Sequence, residues 1–170
     1  MIKEIYFAGG CFWGVEKAFK LLNGVLETTV GYINGNVDNP YYELVKTGTT
    51  GFKEAVKVLY DDKLLSLNTL LKAFFICIDP SQKDGQKNDI GSQYLTGVYY
   101  TNEEDYKIIK EYFNNETKKY DEFYVELKPL KVFYDAEDYH QDYLDKNING
   151  YCHLNKVEYD NIKKLNKVGE

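Results

Sequence analysis

The chain has 170 residues, 44% of them hydrophobic and 28% charged, which suits one compact domain with a full core and excludes wholesale disorder. Its net charge is −6 and its lysines alternate with acids instead of gathering into a basic patch, so nucleic acid is disfavoured as a partner. Three widely spaced cysteines, Cys11, Cys77 and Cys152, fit neither a disulfide scaffold nor a zinc cluster, which would want pairs such as C-x-x-C.

The opening "MIKEIYFAGG" lacks the pattern of a signal peptide, and no stretch approaches transmembrane length. The expectation is a cytoplasmic protein with free thiols, no membrane partner, and neither metal nor cofactor. "IKEIYFAG" alternates and ends in glycines, a strand running into a turn. From Cys11 on, Phe12, Val15, Phe19 and Leu22 recur at helical spacing until Asn23-Gly24 stops the helix. "VLETTVGY" reads as a second strand and "FKEAVKVLYD" as a third. Between them "INGNVDNPYYELVKTGTTG" is a long loop, and loops beyond about 12–15 residues in compact domains tend to carry function.

Leu67, Leu70, Leu71, Phe74, Phe75 and Ile78 form one apolar stripe, the mark of a core helix. "DPSQKDGQKNDIGSQ" is a second long loop and "YLTGVYY" a strand. Thr101 with Glu104 predicts a capping box for a helix reaching about Tyr120. Short strands flank Pro129, a helix is expected over Ala136 to Leu144, and residues 145–170 read as an irregular, coil-rich tail. Strands and helices interleave without a repeat or linker. The fold class is therefore α/β (α+β): one domain over residues 1–170, a two-layer sandwich with helices packed on a ferredoxin-like mixed sheet.

"FAGGCFWGVEKAF" carries the first chemical signal. Only a thiolate is nucleophilic, and unpaired N–H groups at a helix start favour one. Cys11 sits at such a start. Gly9 and Gly10 permit a tight turn and leave room for a ligand, while Phe12 and Trp13 supply an apolar wall. A cysteine here can also be a small buried hydrophobe; the glycines and tryptophan favour the working thiol. In "FKEAVKVLY", period two puts Phe52, Glu54, Val56, Val58 and Tyr60 on one face and Lys53 and Lys57 on the other. A carboxyl on the apolar face is desolvated and can hold a proton near neutral pH. Glu54 is thus a candidate acid.

"GGCFWGVE" resembles the signature of the peptide methionine sulfoxide reductase A family, and the likeness continues through "GYINGNVDNPYYELV", "TGTTGFKEAVKVLYD", "NDIGSQY", "FYDAEDYHQDYL" and "NGYC". The resemblance implies thiol-dependent reduction of methionine S-sulfoxide, free or in proteins, by way of a sulfenic acid on Cys11. It assigns the acid to Glu54, the donors to the sulfoxide oxygen to Tyr42 and Tyr94, the ordering of substrate and water to Asp89, and the methyl pocket to Phe12 and Trp13. It also makes Cys152 the resolving cysteine and thioredoxin, or another dithiol, the reductant. With 17 tyrosines in the chain, spacing alone could not have selected these two. Cys77, inside the apolar stripe, is expected to be buried and inert. His140 leaves a Cys–His hydrolase as the alternative reading, with a non-catalytic domain that binds oxidised methionine as another. The family treats the His140 motif as support for the pocket. The chain departs from the family's usual pattern at Lys87 and Leu95, which places a changed charge at the rim.

Overall fold

In the computed structural model, which describes residues 1–168, the chain opens with strand β1 (Ile2–Gly9), helix α1 (Phe12–Lys20) and strand β2 (Val25–Ile33). A short helix α2 (Tyr42–Val45) interrupts the first long loop before β3 (Lys53–Asp61) and the core helix α3 (Leu67–Cys77). A small hairpin, β4 (Gly85–Gln86) with β5 (Asp89–Ile90), lies in the second long loop. Then come β6 (Thr96–Tyr100), α4 (Glu103–Thr117), β7 (Glu126–Pro129), β8 (Phe133–Asp135), α5 (Tyr143–Lys146) and α6 (Lys156–Val168).

The main sheet runs β7-β6-β1-β3-β2-β8. Its four central strands, β6-β1-β3-β2, are antiparallel throughout, with α1 and α3 as the two crossovers. That is the ferredoxin-like arrangement. Parallel β7 and antiparallel β8 extend it at the two edges, making the sheet mixed. Phe7 of β1 meets Phe19 of α1 at 4.6 Å and Phe74 of α3 at 5.1 Å between ring centroids, so both helices close on one sheet face. Phe74 is fully buried, and truncating such a side chain to alanine costs about 3–5 kcal/mol. A smaller cluster of Tyr6, Ala8, Ile33, Ala55 and Tyr99 covers the opposite face. Among the described residues no helix is long and apolar enough to cross a membrane.

Three local expectations need correction. The tail is irregular only over 147–155, and α6 follows it. Its apolar signal is sparse because Tyr159, Ile162 and Leu165, set among lysines, supply its contact with the core. Residues 169–170 of the expected tail lie outside the described residues. The helix expected over Ala136 to Leu144 is instead a 3₁₀ turn at Asp138–His140, a left-handed residue at Asp142 (φ 55°), and the separate α5. Gln141 explains the break: its side chain binds the backbone N–H and C=O of Val30 and the carbonyl of Ala136. Side-chain bonds of this kind compete with helix formation. Finally, Asn102, not Thr101, caps α4, accepting from the Asp105 amide at 2.9 Å.

Candidate active site

The chain turns from β1 into α1 through Gly10, whose φ is +86°. A Cβ there would lie 2.9 Å from Cβ of Gln86, so both the backbone conformation and the neighbour exclude a side chain. Gln86 is itself locked: its amide accepts from the Asp79 N–H and donates to the Asp79 and Gly85 carbonyls. This turn delivers Cys11 to the N-cap position of α1, where it is only 7% exposed. Burial first, then the charge of Glu54, pushes the thiol well above its ordinary value, while the Trp13 amide pulls weakly the other way. The helix start alone does not make a resting thiolate. Desolvation outweighs it.

Glu54 stands on β3 opposite Tyr32 of β2 and is 2% exposed. Its Oε1 accepts the Phe12 backbone N–H at 3.1 Å, which ties the carboxyl to the first turn of the helix that Cys11 caps. Burial pushes Glu54 up to about 8, against the Phe12 bond and with help from the charge of Asp89. Period two on the strand is therefore borne out in space: Glu54 faces inward beside the cysteine and keeps its proton at neutral pH.

Tyr42 enters from α2 and Tyr94 from a 3₁₀ turn at Ser92–Tyr94. Burial, followed by the charge of Glu54, holds both hydroxyls in the protonated, donor form; Tyr42 rises to about 12. Each also feels the charge of Cys11, so the four groups share one electrostatic neighbourhood. Asp89, at the β4–β5 hairpin, accepts the Tyr151 hydroxyl at 3.0 Å and adds its charge to Cys11 and Glu54.

The apolar side is built from aromatic rings. Trp13 stacks on Tyr143 with centroids 3.8 Å apart and donates Nε1–H to Nδ1 of His140 at 3.0 Å. Indole is a donor only, so Nδ1 carries no proton, and burial lowers the imidazole's tendency to take one. His140 packs against Tyr42 at 4.5 Å and Phe12 at 5.2 Å. It orients Trp13 through Nδ1, and among the described residues no hydrogen bond joins it to Cys11. Below it Glu137, which sequence reading passed over, accepts from the Tyr32 hydroxyl, the Tyr139 hydroxyl and the Tyr42 amide at 2.8, 3.0 and 3.1 Å. These bonds anchor the start of α2, and with it Tyr42.

Cys152 lies against the same helix. A Cβ on Gly14 would sit 2.7 Å from its sulfur, three residues beyond Cys11. Cys77 is 2% exposed in α3, and burial pushes its thiol up. All three cysteines are free. His153, fully enclosed between Gly10 and Gly14, and Tyr159 of α6 complete the surroundings of Cys152; neither stood out in the sequence.

A protonated buried carboxyl and two phenol donors in the electrostatic neighbourhood of a cysteine, with a second thiol one helical turn away, make a candidate thiol redox site on a mixed α/β sandwich. A sequence profile of the family described as peptide methionine sulfoxide reductase matches residues 3–168. The peptide methionine sulfoxide reductase MsrA of Clostridium acetobutylicum is 54% identical over 156 residues, which is 91% of this chain and 96% of that protein. The reduced form of Mxr1 from Saccharomyces cerevisiae superposes with a TM-score of 0.84 at 38% identity, covering 89% of this chain and 88% of that one. The same yeast protein in complex with Trx2 gives a TM-score of 0.59 at 28% identity, with 84% of each chain covered. The chain belongs to the peptide methionine sulfoxide reductase family.

Proposed function

We propose that this enzyme reduces the S-epimer of methionine sulfoxide, free or in proteins, with Cys11 as nucleophile, Glu54 as acid and Cys152 as the resolving thiol. The observation that carries this reading is the buried, proton-holding Glu54 bonded to the amide next to Cys11. A sulfoxide oxygen leaves only after it gains a proton, and a neutral carboxyl at this place can supply it. The Tyr42 and Tyr94 phenols donate to the same oxygen, and the ring wall of Phe12 and Trp13 takes the S-methyl group.

In the first half, the Cys11 sulfur bonds to the oxygen released from the substrate; methionine leaves and Cys11 becomes a sulfenic acid. Glu54 gives the oxygen its proton and takes up the one that the Cys11 thiol gives up, so it ends the step protonated, as it began. In the second half, Cys152 attacks the sulfenic sulfur, the S–O bond breaks, water leaves and a disulfide forms. The complex of the yeast relative with Trx2 supports a thioredoxin as the reductant that reopens it. Asp89 orders the polar end of the substrate. The whole sequence is the work of one catalytic domain, in a reducing cytoplasm.

The test is consumption of the two separated epimers of methionine sulfoxide with dithiothreitol. The S-epimer is consumed and the R-epimer is nearly inert, because inversion exchanges oxygen and lone pair while the methyl slot stays fixed. Equal rates on both epimers would overturn the pocket assignment.

A further inference from the structure

We propose that Tyr159 is the positioning residue of the recycling step, holding the Cys152 sulfur over the first turn of α1 and donating to it as a thiolate. The proposal rests on Cys152 being the resolving cysteine.

The sulfur has two partners: the Tyr159 hydroxyl at 2.8 Å and the Leu154 N–H at 3.3 Å. The same hydroxyl lies 3.5 Å from the Gly14 carbonyl. While Cys152 is a thiol, its S–H can donate to the phenol oxygen and the single phenol hydrogen goes to that carbonyl; once the thiol proton is lost, the phenol hydrogen turns to the sulfur. Burial, then the bond to Cys152, raises the Tyr159 phenol far above its ordinary value, so Tyr159 keeps its proton and is available as a donor to a Cys152 thiolate.

Segment 147–155 has no regular structure with which to fix a thiol, and α6 supplies what it lacks. Ile162 is fully buried, Asn166 accepts the Asn23 amide and donates to the Leu21 carbonyl, and Lys87 pairs with Glu158 at 2.9 Å. Lys87 also donates to the His153 carbonyl, directly beside Cys152. Tyr159 therefore projects from a helix fastened on both sides of it. Lys17 stands 5.7 Å above its ring and adds a positive charge to the same corner.

The chemistry needs this arrangement. Cys152 must lose its proton, attack the Cys11 sulfenic sulfur and displace hydroxide, which takes a proton and leaves as water. Cys152 is oxidised and the Cys11 sulfur reduced, and Tyr159 keeps its own proton throughout. Two donors on the sulfur stabilise the thiolate and aim its lone pair at the start of α1.

Tyr159→Phe removes the donor and keeps the ring. With methionine S-sulfoxide and no reductant, methionine release in the first turnover should stay at the wild-type rate. Formation of the Cys11–Cys152 bond, followed by peptide mass mapping, should slow about tenfold, the worth of one hydrogen bond to a charged group. In a Cys11→Ser background, the pH profile of Cys152 alkylation should move to higher pH in Tyr159→Phe. Equal disulfide rates with equal alkylation profiles would overturn the role of Tyr159. Slowed methionine release would also overturn it, by placing the effect in the fold. Absence of a Cys11–Cys152 bond in the wild type would instead overturn the resolving role of Cys152, and the proposal with it.

Discussion

The β1–α1 junction and the 147–168 tail present Cys11 and Cys152, the two thiols of the proposed cycle, by opposite means. Cys11 is placed by backbone: a strand in the middle of the sheet, a glycine turn that tolerates no Cβ, and the N-cap of a helix. Its acid partner is on the neighbouring strand, bonded to that same helix. Cys152 is placed by side chains, in a coil fastened by Tyr159, Lys87 and the docking of α6. The difference suits the two tasks. In the proposed cycle the reductive step needs fixed geometry around a small substrate, whereas a resolving thiol at Cys152 would have to shift toward Cys11 and later yield the disulfide to an external dithiol. Its direct anchors, the Tyr159 hydroxyl, the Leu154 N–H and the Lys87 bond beside it, are few and polar, while the apolar docking of α6 lies behind them.

The strongest way to break this comparison is at the rigid end. Cys11→Ser should abolish sulfoxide reduction with either thioredoxin or dithiothreitol, since an alcohol cannot replace the thiolate. Appreciable turnover in that variant would sink the assignment. Glu54→Gln keeps the shape and loses the proton, and a lower kcat by about 10²–10⁴-fold with little change in KM is expected. A loss of only a few-fold would hand the proton to the tyrosines or to water. A pH series sharpens the point. Glu54 is held at about 8 in the fold against an ordinary 4.5, so between those values the folded chain carries one proton more than the unfolded chain. Its stabilising contribution is complete below pH 4.5 and is lost as pH rises through about 8. Wild-type turnover should decline over the same upper limb as the acid form disappears. Melting curves of Glu54→Gln should lack that pH dependence.

The two regions also differed in how far they could be read. On β3 the alternation of apolar residues and lysines placed Glu54 inside before any coordinates, because period two is dictated by strand geometry. The strand–glycine–helix passage at Cys11 was legible for the same reason. The resting state of the Cys11 thiol was not legible: the local dipole is written in the sequence, but the desolvation that outweighs it depends on packing. Tyr42, Tyr94 and Asp89 come from loops with no period, so only family likeness selected them. Glu137 and Gln141 act through side-chain bonds to backbone far away in the chain, which no local pattern announces. Helix α6 shows a sparse apolar face because it reaches the core through one fully buried residue, Ile162, with Tyr159 and Leu165 packed beside it. Its Tyr159 was one tyrosine among 17.

Gly14→Ala tests where the two regions meet. Gly14 is the third residue of α1, where alanine is the better helix former by up to about 1 kcal/mol, enough to offset the shift of one flexible thiol, so the melting temperature should hold. The new Cβ would stand 2.7 Å from the Cys152 sulfur, closer than real contacts allow, and 3.6 Å from the His153 ring. The sulfur has to leave Tyr159. First-turnover methionine release should be unchanged, while disulfide formation slows by about tenfold, as for the loss of one charge-assisted bond. Unchanged recycling would mean that Cys152 approaches Cys11 from a position other than the one it occupies over α1.

The smallest expected effect belongs to Lys87→Gly, where two terms oppose. Lys87 turns the β4–β5 hairpin at φ +52°, a conformation that an L side chain adopts at a penalty of roughly 1 kcal/mol and glycine adopts freely. Against that gain stands the loss of its bond to the His153 carbonyl and its pair with Glu158. Lys87 is about half exposed, so the ion pair is worth about 0.2–1 kcal/mol and no more. The terms nearly cancel, and melting should move by no more than about 2–4 °C. Thioredoxin-dependent turnover has no such compensation, because glycine relieves the hairpin but leaves the Cys152 segment short of an anchor; it should fall a few-fold while dithiothreitol-dependent turnover holds. A drop in melting temperature well beyond that range would make the tail part of the structural core, and the contrast between a backbone-placed and a side-chain-placed thiol would not survive it.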